Sequence, residues 1–237
     1  MPEKNSQAKG ANKIRIITNV LTTAVKLWLR AQVSHVSQLE VDIKASDRQL
    51  LSGRIPWVSI FATDAVYQGL HITRIQLVAE NIQVNIGAVL KGQPLRLLVT
   101  VPVVGELIVD EKDLNSSVSS ELLSTALNEV LVKLLPEHCL KPKQIAWEKI
   151  ILENHRIILG AIVTCSNENT PLEISLNLNL VSNHELRLSQ IQVIENASPL
   201  MLGNNDYNLD LGSDADIQEL SVIPAQLVCR GKINVNP

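Results

Sequence analysis

Leu172, Ile174, Leu176, Leu178 and Leu180 alternate without interruption with Glu173, Ser175, Asn177 and Asn179. A period of two places every apolar side chain on one face of a strand and every polar one on the other. The same signature recurs at Leu39-Val41-Ile43, at Leu95-Leu97-Val99-Val101 and at Val103-Leu107-Val109. Such a chain folds chiefly as half-buried antiparallel strands.

One stretch changes phase. In IQLVAENIQVNIG, Ile75, Leu77 and Ala79 alternate on odd positions, whereas Ile82, Val84 and Ile86 alternate on even ones. A strand from Leu70 to Ile86 with a one-residue slip at Ala79-Glu80-Asn81 is the expected signature of a β-bulge, which bends the strand and keeps one apolar face inward. A break into two strands is the simpler reading.

Two other periods frame the strands. Ile14, Ile17, Leu21, Ala24 and Trp28 follow helical spacing, and Ile16, Val20 and Leu27 widen that stripe, so a helix is expected over 13–36 after a disordered tail at 1–11. Leu114, Val118, Leu122, Ala126, Leu127, Val130, Leu131 and Leu134 predict one or two helices ending before Pro136, with Ser119-Ser120-Glu121 as the break and Asp110 or Asp113 as cap. Asn154-His155 reads as a two-residue hairpin turn between strands at 145–153 and 156–164. The segments DRQLLSGRIP, SNENTP and NNDYNLDLGSDADIQEL read as connections, and a last strand ends near Val235. One helical insertion between two groups of strands predicts an α+β fold, with helix packed on a long curled antiparallel sheet.

Hydrophobic residues make up 46% of the 237 and aromatics 3%, so the apolar mass is Leu, Ile and Val. Aliphatic walls pack on each other or line a slot for an alkyl chain. Charge is unevenly spread. Lys4, Lys9, Lys13, Arg15, Lys26 and Arg30 share a span to Leu39 without an acid, whereas the chain from Glu40 onward holds 15 basic and 23 acidic residues. A basic helix on an acidic body suggests contact with an anionic surface such as a membrane; a solvated helix with incidental charge is the alternative reading. An acidic body with few stacking aromatics speaks against nucleic acid.

No motif for catalysis stands out. Gly212-Ser213-Asp214 lacks a nucleophile elbow, and no phosphate loop or dinucleotide fingerprint occurs. His35, His71, His138, His155 and His184 are scattered, and Asp206, Asp210, Asp214 and Asp216 lack calcium-loop spacing. Catalytic residues, metal ligands and cofactors are therefore expected to be none. Cys139, Cys165 and Cys229 lie far apart and fit reduced thiols. The N-terminal residues lack the order of a secretory signal, and apolar runs stop short of a membrane span. The expected location is cytoplasmic, peripheral to a membrane.

Three stretches carry a family resemblance: LWLRAQVSHVSQLEVDIKASDRQLLSGRIPWV, AVYQGLHITRIQLVAENIQVNIGAVLKGQPLRLL and LDLGSDADIQELSVIPAQLVCRGKINV. Tyr67-Gln68-Gly69-Leu70, Glu80-Asn81-Ile82 and Gly92-Gln93-Pro94-Leu95 are their most specific parts. Over 27–235 the chain resembles the LmeA-like phospholipid-binding family. The resemblance implies an elongated sheet wrapped around a helix, similar in shape to tubular lipid-binding modules, as one domain over 12–237. It implies a phospholipid or other acyl lipid as partner and offers no catalytic residues.

Acyl-chain lining is then expected from Ile75, Leu77, Ile82, Val84, Ile86, Leu97, Val99, Leu127 and Val130, with further positions open in the strand about Ile174. Lys91 and Arg96, which flank the GQPL loop, are the first candidates for a head group, and Arg54 and Arg74 the next. Lys13, Arg15, Lys26 and Arg30 are expected to face anionic lipid. The rival expectation is an interaction scaffold with a fully packed core, no ligand and an unidentified protein partner.

Overall fold

A computed structural model describes residues 20–134, 144–165, 168–202 and 206–237. The architecture is mostly antiparallel sheet with a few helices, and neither of its two sheets closes. A helix covers 20–32 (α1). It is followed by β1 (Gln38–Lys44), α2 (Asp47–Leu51), β2 (Arg54–Tyr67), β3 (Leu70–Gln83), α3 (Ile86–Val89) and β4 (Val101–Asp110). Then come α4 (Glu111–Ser117), α5 (Glu121–Leu134), β5 (Gln144–Glu153), β6 (Arg156–Cys165), β7 (Glu168–Ser182) and β8 (Glu185–Glu195). The chain closes with β9 (Ser198–Leu202), β10 (Tyr207–Asp210), β11 (Ala215–Ile223) and β12 (Gln226–Val235).

The first sheet runs β1-β2-β3-β4-β12-β11, so the last two strands return to pair with β4. The second runs β10-β8-β7-β6-β5, with β9 also on β8. Each sheet has its own core. Leu21 and Val25 of α1, Leu50 of α2 and Ile86 and Val89 of α3 are buried with Ile55, Val58, Ala79, Ile82 and Val103 of the first sheet. Leu131 and Leu134 of α5 are buried with Trp147, Ile150, Leu159, Ile174, Ile191 and Val193 of the second.

The phase switch has a different cause from the one expected. Asn81 does adopt a left-handed backbone, φ +55°, at the expected place. Yet β2 and β3 keep one register throughout, from Arg54↔Gln83 through Trp57↔Glu80 to Tyr67↔Leu70. No residue is inserted. Both strands switch faces together: Ile55 and Ile82 are buried opposite each other, and so are Val58 and Ala79. Between those pairs Asn81 lies across from Pro56, which has no N–H to give to the ladder. A second switch occurs at Asp64, φ +48°.

Other expectations shift in detail. α1 ends by 32 rather than 36, and residues 1–19 fall outside the described set. β3 stops at Gln83 and Ile86 starts a short helix. DRQLLSGRIP contains α2, whose N-terminus carries a capping box between Ser46 and Gln49. The acidic segment read as a loop holds β10 and most of β11. The strand β7 begins at Glu168, within the segment read as a turn. The Asn154-His155 turn and the break between α4 and α5 lie where the sequence places them.

α4 joins the two halves. Its Ser117 hydroxyl accepts from His71 N at 2.8 Å and donates to the Asp113 carbonyl at 2.6 Å. The Thr73 hydroxyl donates to the Asp113 carboxylate. On the other side, Asn115 Nδ2 donates to the Ile150 carbonyl at 2.7 Å while its Oδ1 accepts from Ile150 N at 2.9 Å. Glu111 Oε2 accepts from Leu152 N at 2.7 Å. These side chains supply the hydrogen bonds that a neighbouring strand would give to the edge of β5.

Candidate functional site

The first sheet carries an apolar face wider than its core uses. Directly opposed residues of an antiparallel pair point to the same side, so the register fixes which side chains share a row. One row reads Leu39, Ala62, Ile75, Leu107, Cys229 and Leu220. The next reads Val41, Ile60, Leu77, Gly105, Gly231 and Ile217, and a third Ile43, Val58, Ala79, Val103, Ile233 and Ala215. Every member is aliphatic, glycine or cysteine. Six strands at about 4.8 Å spacing make each row about 24 Å wide.

Two glycines shape the middle row. A Cβ on Gly105 would lie 2.5 Å from Leu77 Cδ2 and 2.9 Å from the Gln76 carbonyl oxygen. A Cβ on Gly231 would lie 2.5 Å from the Asp216 carbonyl oxygen and 2.9 Å from Ile217 Cα. The two residues are paired across β4 and β12, and along this line the flanking strands approach too closely for a side chain at either position.

Burial along the rows is uneven. Val58, Ala79 and Val103 are buried against the helices, but Ile75, Leu107, Cys229, Leu220 and Ile217 stay half-buried and belong to neither buried cluster. Burial pushes the Cys229 thiol above its ordinary pKa. The opposite face of the sheet is polar and paired: Arg74 meets Glu106 at 3.3 Å, and Arg230 bridges Glu106 at 2.5 Å and Glu219 at 2.6 Å. The Arg230 guanidinium, bonded to Glu106, holds that carboxyl below its ordinary range. Arg74, a candidate for a head group from sequence, is therefore committed to Glu106.

A second apolar feature is a groove of about 610 Å³ between α1 and the loop after α3, a volume in the range of ligand pockets. Val20, Ala24, Leu27 and Ala31 form its helical wall, at the spacing of one helix face, and Val89, Pro94 and Leu95 face them. The loop is tied shut at its base, where Asn85 Nδ2 donates to the Pro94 carbonyl at 3.0 Å and Asn85 Oδ1 accepts from Arg96 N at 2.8 Å. Lys91 and Arg96 are exposed and adjoin the lining residues Gly92 and Leu95 in the chain. Lys26 and Arg30 share a helix row with Thr23, which also lines the groove. Two regions read separately in the sequence thus meet at one opening.

The expected lining residues divide into three groups. Ile75 and Leu77 lie on the half-buried face. Ile82, Val84 and Ile86 are buried within the first core, and Leu97 packs against it with Val99 exposed beside it. Leu127 and Val130 pack against the second core, in which Ile174 is fully buried. Lys13 and Arg15 lie outside the described residues. Sequence reading missed Leu107, Leu220, Ile217 and the glycine pair. The odd-position periodicity of β4 carries the signal for Leu107, but nothing local announces that β11 and β12 complete the same face.

Among the described residues no helix is long and apolar enough to cross a membrane, and no group of three or more His, Cys, Asp and Glu is gathered as metal ligands. No curated protein and no solved structure matches the chain. The model of the LmeA-like phospholipid-binding family matches residues 13–232, and with nearly the whole length covered, this chain belongs to that family.

Proposed function

We propose that this protein binds phospholipid without catalysing a reaction on it, as one domain over 12–237, and works at the surface of a membrane. The observation that carries the reading is the half-buried aliphatic face of the first sheet. A bilayer's hydrocarbon core is about 30 Å thick, so each leaflet's tails extend about 15 Å, less than the width of one cross-strand row. Each buried methylene contributes about 0.8 kcal/mol, and ten give about 8 kcal/mol before the costs of association. That term needs no dedicated chemistry, in keeping with the family's binding character. Ile75, Leu77, Leu107, Leu220 and Ile217 hold a tail, and Lys91 and Arg96 take the phosphate beside the groove. Lys26 and Arg30 turn to anionic lipid. The unpaired thiol of Cys229 suits the reducing, cytoplasmic side of the membrane.

The test is mass spectrometry of an organic extract of the purified protein. Phospholipid is expected in stoichiometric amount, and Leu107→Glu, which puts a charge in the centre of the face, is expected to lose it while circular dichroism stays native. Protein that is free of phospholipid as purified, and takes none from vesicles at low salt, sinks the reading.

A further inference from the structure

The apolar side chains left in the open are not scattered at random. The three most exposed large hydrophobic residues among those described are Leu27 at 62%, Leu51 at 58% and Leu98 at 56%. Leu27 is on α1, Leu51 ends α2 and Leu98 lies between α3 and β4. These segments are distant in sequence but share one core: Leu21, Leu50, Val89 and Leu95 are buried together. Leu90, nearly half exposed, follows Val89 at the end of α3. One end of the molecule therefore presents leucines from three separate elements.

The charges at that end are nearly all of one sign. Lys26, Arg30, Arg48, Lys91 and Arg96 belong to these segments and Arg54 opens the strand that follows α2, against Asp47 alone. None of the six makes an ion pair with a described residue, so all six are free to meet an anionic surface. Exposed leucines ringed by uncommitted cations match the two layers of an anionic bilayer, with hydrocarbon beneath and phosphate above. A protein partner's core contact would more often be depleted of such charge.

We infer that this end, formed by α1, the α2 terminus and the 90–99 loop, is the surface by which the protein inserts into an anionic phospholipid bilayer. Leu27, Leu51 and Leu98 enter the acyl boundary while the six cations lie at the phosphate level. The inference rests on the phospholipid-binding reading and names the end that meets the membrane.

Flotation with vesicles of phosphatidylcholine and phosphatidylglycerol at 4:1 tests it. The protein is expected to float with these vesicles at low salt, to float less as salt rises, and to float poorly with pure phosphatidylcholine. The triple variant Leu27→Glu, Leu51→Glu, Leu98→Glu is expected to lose more than about tenfold in vesicle affinity. Lys91→Gln and Arg96→Gln are expected to cost about fivefold each. Val104→Glu, at a comparably exposed site on the polar face of the first sheet, is expected to change nothing. In the unmodified protein, anionic vesicles are expected to slow amide hydrogen exchange in 20–32, 48–54 and 86–99 and not in the second sheet. Equal flotation of the triple variant, protection elsewhere, or no flotation of the native chain overturns the inference and leaves this end to a protein partner. Phospholipid in the organic extract of a protein that fails to float overturns only the insertion surface and leaves the binding reading standing.

Discussion

At the scale of single residues, Gly105 and Gly231 show how little space the neighbouring strands leave. Alanine at 231 drives its Cβ into the backbone of Asp216 and Ile217, and backbone paired in a ladder cannot retreat without breaking it. Alanine at 105 meets first the end of the Leu77 side chain, which can rotate, and then the Gln76 carbonyl oxygen. Gly231→Ala is therefore expected to cost about 2–3 kcal/mol and Gly105→Ala somewhat less, in the range of overpacking. Gly87, inside α3 with no atom near its missing Cβ, gives the opposite sign: Gly87→Ala is expected to stabilise by about 0.5–1 kcal/mol. Urea midpoints of the three variants check the order, and a neutral Gly231→Ala removes the steric account of the close approach. In the sequence each glycine is legible as an interruption of a strand. Their pairing is not, because the two sit 126 residues apart by number and only the return of β12 to β4 brings them together.

At the scale of elements, side chains of α4 complete the edge of β5, and Asn115 among them imitates a strand. Asn115 both donates to and accepts from Ile150, and no other residue type of its size offers a donor and an acceptor at that spacing. Asn115→Ala leaves a part-buried N–H and C=O without partners and is expected to cost about 2–3 kcal/mol. Asn115→Asp keeps the acceptor but sets a carboxylate against the Ile150 carbonyl, so it is expected to be no better than alanine. Hydrogen exchange at the Ile150 amide, faster in both variants while the Leu159 amide across the strand changes less, separates loss of the cap from general loosening. The local signals for most elements were strong: β7 alternates cleanly, and Asn154-His155 punctuates two apolar runs. β11 was hidden because a bulge between Ile217 and Glu219 breaks its alternation and its acids imitate a loop. α2 was hidden because five residues are too few to show a period.

At the scale of the whole molecule, the chain builds two cores and leaves one apolar face between them incompletely covered. Periodicity predicted strands with a buried side, and it did so correctly for Ile75 and Leu77. It could not distinguish that half-buried position from the full burial of Ile82, Val84 and Ile86, because exposure depends on where α1 comes to lie. Cys229, on β12 between Leu107 of β4 and Leu220 of β11, gives a direct measure of occupancy. With Cys139 and Cys165 replaced by serine, its thiol is expected to react with a maleimide more slowly than a free cysteine at pH 8, since burial raises its pKa and only the thiolate attacks. The rate is expected to rise with pH beyond the range where a free thiol has levelled off. A phospholipid tail resting on Leu107 and Leu220 covers the sulfur between them. At a free concentration ten times Kd the unoccupied fraction falls about elevenfold, and the alkylation rate should fall with it if the bound form is fully protected. A rate indifferent to phospholipid, measured under conditions where extraction shows the lipid bound, moves the tail off this sheet and onto the groove beside α1.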